Sequence, residues 1–152
     1  MSIFLSQHGK ATSKDVDPQR GLTSDGVAEV TRVARILSDS GLAIDVIWHS
    51  GKARALQTAD IFAASLKPKS GVKSRVGLDP LDDVAVLAGD LPRKRNEMYV
   101  GHLPFMERML AMLITGTTDN CVVRFQYGGV VRLDWDAEEE RWVIGWTVFP
   151  HL

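Results

Sequence analysis

The stretch Ser2-Ile3-Phe4-Leu5-Ser6-Gln7-His8-Gly9 decides how the rest of the chain is read. Ser2 to Ser6 is a short apolar run of strand length, and His8-Gly9 breaks it. A strand with apolar residues on both faces belongs in the interior of a sheet covered on both sides. An imidazole that comes directly after such a strand lies at its carboxyl end, where open α/β sheets gather their ligands.

Outward from that strand, a polar loop runs from Lys10 to about Leu22 and contains Asp15, Asp17, Pro18, Gln19, Arg20 and Gly21. An amphipathic helix comes next. Thr23 or Ser24 can cap it, Asp25 suits its positive end, and Val27, Val30, Ala34 and Leu37 form an apolar face before Gly41 stops it. Ala43 to Trp48 reads as a second buried strand. Ser50 then caps a helix from about Gly51 to Leu66 with Leu56, Ala59, Ala63 and Leu66 inward, closed by Pro68.

Further on, a weak strand is expected around Arg75 to Leu78, a short helix within Leu81 to Leu91, and a charged turn from Pro92 to Asn96. Glu97 to Val100 is a strand broken by Gly101-His102, and Pro104 opens a helix to Ile114 that Gly116 ends. Cys121 to Gln126, Val130 to Trp135 and Arg141 to Val148 read as strands joined by Tyr127-Gly128-Gly129 and an acidic turn, Asp136 to Glu140. The alternation predicts an α/β fold, a three-layer α/β/α sandwich. Its central sheet is mostly parallel with helices on both faces, and the C-terminal tail adds antiparallel edge strands.

The 152 residues fit a single domain, 1–152, with no repeat, low-complexity tract or linker. Apolar residues at 45% and charged residues at 24% exclude disordered and fibrous classes. A net charge of −1 gives no bulk attraction to nucleic acid or acidic lipid, so any cationic site must be local. Met1 to Leu5 lacks a charged flank and a cleavage site, and Met109 to Ile114 is too short to span a bilayer. Together with a single cysteine, Cys121, this predicts a cytoplasmic protein with neither membrane nor nucleic-acid partner.

Three segments share one placement, a polar or charged residue just after an expected strand. They are Gln7-His8-Gly9, His49-Ser50 with Arg54 in the next helix, and Gly101-His102. An arginine in the first turn of a helix opposes the dipole unless an anion binds there, satisfying both the guanidinium and the free N–H groups. Three such coincidences at strand ends point to one anion site.

Four stretches carry a resemblance: Gln7-His8-Gly9-Lys10-Ala11; Arg20-Gly21-Leu22-Thr23 with Gly26; His49-Ser50 with Arg54-Ala55-Leu56-Gln57-Thr58-Ala59; and Val100-Gly101-His102-Leu103-Pro104. Together they resemble the histidine phosphatase superfamily, above all its small bacterial phosphohistidine phosphatases of the SixA type. The similarity runs from about Ser2 to Gly116. It implies a phosphatase working through a phosphohistidine intermediate on His8, with His102 beside it stabilising the phosphoryl oxygens. Arg54 would clamp those oxygens, Arg20 would reach the pocket from its loop, and Gly9 and Ser50 would shape it. Phosphohistidine in proteins is the implied substrate. The partner is then a phosphorylated protein or a small phosphorylated molecule, and no cofactor or metal is needed. Positioning and charge stabilisation dominate phosphoryl transfer, and a neutral imidazole is a competent nucleophile at neutral pH.

The family motif begins Arg-His-Gly, whereas this chain has Gln7. Gln7 can still donate an N–H to a phosphate oxygen, but the lost charge is expected to cost about 1–2 kcal/mol in the transition state. No proton donor is evident; Asp79, Asp82 and Asp83 fall in the relevant region, with Asp83 the candidate. Two alternatives stand beside this reading: a nearly inactive phosphate-binding module, or a phosphomonoesterase for small molecules. Trp48, Trp135, Trp142 and Trp146 read as packing rather than a base-stacking platform. Met106, Met109 and Met112 read as core filler, Lys10 and Lys52 as solvated charges, and Cys121 as a small buried hydrophobe. The four histidines lack metal-ligand spacing.

Overall fold

The computed structural model describes residues 1–152. In chain order the elements are β1 (Ser2–Gln7), α1 (Ser24–Asp39), β2 (Val46–His49), α2 (Ala53–Leu66) and β3 (Val72–Ser74). Then come α3 (Val84–Asp90), β4 (Glu97–Gly101), α4 (Phe105–Thr115), β5 (Val130–Asp136) and β6 (Arg141–Val148). All six strands form one sheet in the order β3-β2-β4-β1-β5-β6. The first four are parallel, while β5 runs antiparallel to β1 and β6 antiparallel to β5. No helix is long and apolar enough to cross a membrane.

Every residue of β1 and β4 is buried, because side chains alternate across the sheet and helices cover both faces. Phe4 and Met98 face Val30, Val33, Leu37 and Phe62 of α1 and α2. Ile3, Leu5 and Tyr99 face Leu87, Met106, Met109 and Leu110 of α3 and α4. The three-layer architecture is therefore as the alternation predicts. Thr23 caps α1 by accepting the N–H of Gly26 at 2.9 Å, and Gly116 in the left-handed region ends α4.

Strand register sets where the chemistry can gather. Gln7 pairs with Gly101 and His49 with Val100, so β1, β4 and β2 end at nearly the same level. The chain passes from β1 to β2 and leaves a slot that β4 fills later, so the sheet's central crevice lies at the tips of these three strands.

Several local expectations are corrected. Val27 is 43% exposed, and α1 buries Val33 instead. In α2 the inward stripe is Ala55, Thr58, Ala59, Phe62 and Leu66, while Leu56 lies outside it at 38% exposure. Ser50 does not cap α2; Lys52 stands at the cap position without a side-chain bond. The third strand is Val72–Ser74, not Arg75 to Leu78, because Gly77 at φ 92° turns the chain and leaves Val76 in solvent. Cys121 to Gln126 has no ladder partner. Only Phe125 of that segment is buried, and Cys121 is exposed, with its thiol near the Glu107 carboxylate.

The tryptophans pack as expected. Trp135 meets Trp142 edge-on at 5.3 Å, with the Arg93 guanidinium 3.7 Å from the Trp135 ring. Trp48 donates its indole N–H to Glu97, which also accepts from the Tyr99 hydroxyl.

Candidate active site

Because Gln7 stands opposite Gly101, the next residues, His8 and His102, leave adjacent strands side by side. The His8 N–H extends the ladder to the Gly101 carbonyl at 3.0 Å, and the two rings lie 5.0 Å apart, centre to centre. Both histidines are buried, at 7% and 1% exposure.

His8 is held from two directions. Its Nδ1 lies 2.7 Å from the Gly9 carbonyl oxygen. A carbonyl only accepts, so Nδ1 carries the proton and Nε2 presents a lone pair. The Gly9 N–H donates to Thr58 Oγ1 at 2.9 Å, and that hydroxyl donates in turn to the Arg54 carbonyl at 2.7 Å. Thr58 therefore ties the strand tip to the first turn of α2.

His102 Nε2 lies 2.6 Å from Ser50 Oγ, while its Nδ1 is buried without a partner. Ser50, displaced from the expected cap, thus orients His102 instead. A buried ring nitrogen without a partner is costly unless a ligand meets it.

Two arginines complete the cluster. Arg54 sits in the first turn of α2 and is half-buried, without a carboxylate in salt-bridge range. Arg20 adopts φ 54°, a strained conformation that Asp17 supports by accepting the Gly21 N–H at 2.9 Å. Arg20 Nε donates to the Thr12 carbonyl at 3.3 Å, and its outer nitrogens stay free. Gln57 accepts the Leu22 N–H at 2.7 Å and so fastens the same loop to α2.

This geometry sets the electrostatics. Burial above all, then Arg54 and Arg20, push His8 down to about 4, although its bond to Gly9 opposes the shift. Burial lowers His102 further, to about 3, with His8, Arg54, Lys52 and Arg20 adding to the effect. Arg54 is lowered by burial and by Arg20, against the opposing field of Asp79. At neutral pH the centre is two neutral imidazoles beside two guanidiniums, in a chain of net charge −1. It is built to receive an anion.

The remaining expected residues lie at the edges. Gln7 is 6% exposed, and its Oε1 is buried without a partner. Asp83 Oδ1 accepts the Ala85 N–H at 2.9 Å and caps α3; with Asp79 and Asp82 it lines a second cleft that reaches Ser50. Asp79 pairs loosely with Lys52 at 3.9 Å. Sequence reasoning missed Tyr127, whose ring lies 5.7 Å from that of His8. The Gly128 N–H donates to the carbonyl of Gln7 at 2.9 Å and brings Tyr127 over the strand tip. The only signal for it is antiparallel pairing, since a strand lying against β1 must begin where β1 ends.

Comparison with known proteins bears on the fold and the family. Residues 3–79 match the model of the histidine phosphatase superfamily (branch 1). Among solved structures, the protein histidine phosphatase SixA complexed with tungstate is 23% identical with a TM-score of 0.82, over 99% of this chain and 97% of that one. A phosphoserine phosphatase mutant from Entamoeba histolytica, in complex with phosphoserine, is 15% identical with a TM-score of 0.74, over 96% and 95% of the two chains. The alpha-ribazole phosphatase from Shigella flexneri is 15% identical with a TM-score of 0.75, over 99% and 96%. No curated protein matches the sequence. With matched residues that include the His8 strand tip, the Arg20 loop and the Arg54 helix, the chain belongs to the histidine phosphatase superfamily.

Proposed function

We propose that this protein is a phosphatase that carries the phosphoryl group on His8 and acts on phosphohistidine in proteins. The observation that carries the reading is the hydrogen bond of His8 Nδ1 to the Gly9 carbonyl at 2.7 Å, with His102 and two arginines lacking carboxylate partners around the same ring.

These groups define the steps. The lone pair on His8 Nε2 attacks phosphorus, and the bond to the leaving group breaks with its electron pair going to that group. Arg54 and Arg20 take the charge on the phosphoryl oxygens, and the unpartnered His102 Nδ1 donates to one of them while Ser50 holds the ring. In this role Ser50 Oγ–H donates to His102 Nε2, leaving the proton on Nδ1. The phosphorylated His8 is then an imidazolium whose Nδ1–H stays on Gly9. Water attacks phosphorus, the P–N bond returns its pair to Nε2, and the water's protons leave with dihydrogen phosphate.

A phosphohistidine substrate suits a site whose one candidate proton donor, Asp83, is occupied as a helix cap. Imidazole is a far better leaving group than an alkoxide. The SixA relative is described as a protein histidine phosphatase, and this chain matches nearly its whole length. The crevice carries no inserted domain, which favours a protein-borne substrate. The lone, unbridged cysteine fits a reducing compartment, and we assign the activity to the cytoplasm.

The test is to incubate the full chain with a phosphohistidine protein, measuring released phosphate and acid-labile phosphate on the enzyme. Wild type should release phosphate and carry label on His8, and His8→Ala should do neither. Equal release from both would overturn the nucleophile. Faster release from small phosphate esters than from phosphohistidine would transfer the assignment to a phosphomonoesterase.

A further inference from the structure

Beside the His8 tip lies a cleft of about 430 Å³ whose lining includes Gln7, Lys10, Leu103, Phe125 and Tyr127. Two of its features have no part in the steps described above. The first is Gln7 Oε1, an acceptor without a donor on a side chain more than nine-tenths buried. The second is the Tyr127 ring, half-exposed and 5.7 Å from the nucleophile's ring.

A phosphoryl oxygen cannot satisfy Oε1, because both are acceptors. What Oε1 lacks is an N–H or O–H. Tyr127 offers a planar face at the same place, suited to a planar partner. A planar ring carrying an N–H and bonded to phosphorus describes the imidazole of phosphohistidine when its second nitrogen is protonated.

Resting on the phosphohistidine reading, we propose that Gln7 and Tyr127 form the leaving-group subsite. Tyr127 packs against the departing imidazole, and Gln7 Oε1 accepts the N–H of its non-phosphorylated nitrogen. That hydrogen bond has a chemical consequence. His8 Nε2 forms the new N–P bond, and the substrate's P–N bond returns its electron pair to the ring nitrogen. The proton on the other nitrogen stays in place, so the ring departs as neutral imidazole rather than an anion. No general acid has to act during the step.

The arrangement mirrors that of the nucleophile. The Gly9 carbonyl holds the Nδ1–H of His8, and the Gln7 carbonyl oxygen holds the N–H of the substrate ring. Transfer then runs between two imidazoles, each braced by a carbonyl. Turned over, the amide would instead donate to a phosphoryl oxygen, and the experiment separates the two orientations.

The test compares kcat/KM of the full chain for three substrates: 1-phosphoimidazole, 1-methyl-3-phosphoimidazolium, whose ring has no N–H to donate, and phosphoramidate, which has no ring. Wild type should favour phosphoimidazole over its methylated counterpart by tenfold or more. Gln7→Leu should reduce that ratio about tenfold, and Gln7→Glu, which keeps an acceptor, should retain it. Tyr127→Leu should lower both ring substrates about tenfold relative to phosphoramidate; its exposure makes misfolding no rival account. Equal losses on all three substrates would assign Gln7 to the phosphate and overturn the subsite alone. Phosphoramidate turnover with unchanged ratios in Gln7→Leu and Tyr127→Leu would do the same. Absence of turnover on every substrate, with no label on His8, would overturn the phosphohistidine reading and the subsite with it.

Discussion

Thr58 is bonded to both sides of the site: its hydroxyl accepts the Gly9 N–H at 2.9 Å and donates to the Arg54 carbonyl at 2.7 Å. One buried oxygen thus fixes the distance between the His8 strand tip and the helix turn that carries the Arg54 guanidinium. Replacing Thr58 with Val keeps the shape, but leaves the Gly9 N–H unpaired. A loss of about 1–3 kcal/mol in unfolding free energy is expected, with kcat falling at least tenfold through lost alignment. Denaturant melts and steady-state kinetics on the same sample check both.

The depressed histidines make a pH prediction. In the unfolded chain each titrates near 6.5, whereas in the folded chain His8 waits until about 4 and His102 until about 3. Between those limits the unfolded state binds more protons. Their contribution to stability is complete above pH 6.5 and declines as pH falls, by about 1.4 kcal/mol per pH unit for each histidine. Melts from pH 7.5 to 4.5 should show this slope, and His8→Gln should remove His8's share of it. Saturating inorganic phosphate should flatten the wild-type slope, since a bound anion favours the charged imidazoles.

Arg54→Lys keeps the charge but loses the planar fork. A fall in kcat/KM of about 10- to 100-fold is expected, with Arg54→Ala lower still. The rise in melting temperature produced by inorganic phosphate should shrink in the same order. An Arg54→Lys enzyme as active as wild type would mean that a point charge suffices.

Gln57 acts through the loop. Removing its hold on the Leu22 N–H in Gln57→Ala should free the segment carrying Arg20. KM should then rise several-fold with a smaller change in kcat, and stability should fall by about 0.5–1.5 kcal/mol. Kinetics that resolve the two parameters decide the point.

What was legible in the sequence was what local chemistry fixes. The both-sided apolar run of β1, the cap at Thr23, the stop at Gly116 and the strand-end positions of His8, Ser50 and His102 need only neighbours a few residues away. Helix phase was harder: Leu56 looks inward by composition, yet α2 turns Phe62, Ala59 and Leu66 into the core and Thr58 onto the Gly9 N–H. The third strand was shifted because Gly77 turns the chain where β-branched and apolar residues alone suggest extension. Thr58 and Gln57 stand in a stretch that carries the family resemblance, but their partners, the Gly9 and Leu22 N–H groups, lie far off in the chain, and no local pattern marks Tyr127.

The pairing of Gln7 with Gly101 reaches beyond geometry. These residues are separated by most of the chain, and in the sheet β4 stands between β1 and β2. The two imidazoles become neighbours only where β1 and β4 pair, and no fragment ending before β4 contains both. A partly folded molecule has no half-working centre that could bind the wrong phosphorylated compound. Turnover and native structure should vanish together along a denaturant series, making enzymatic rate a direct gauge of complete folding.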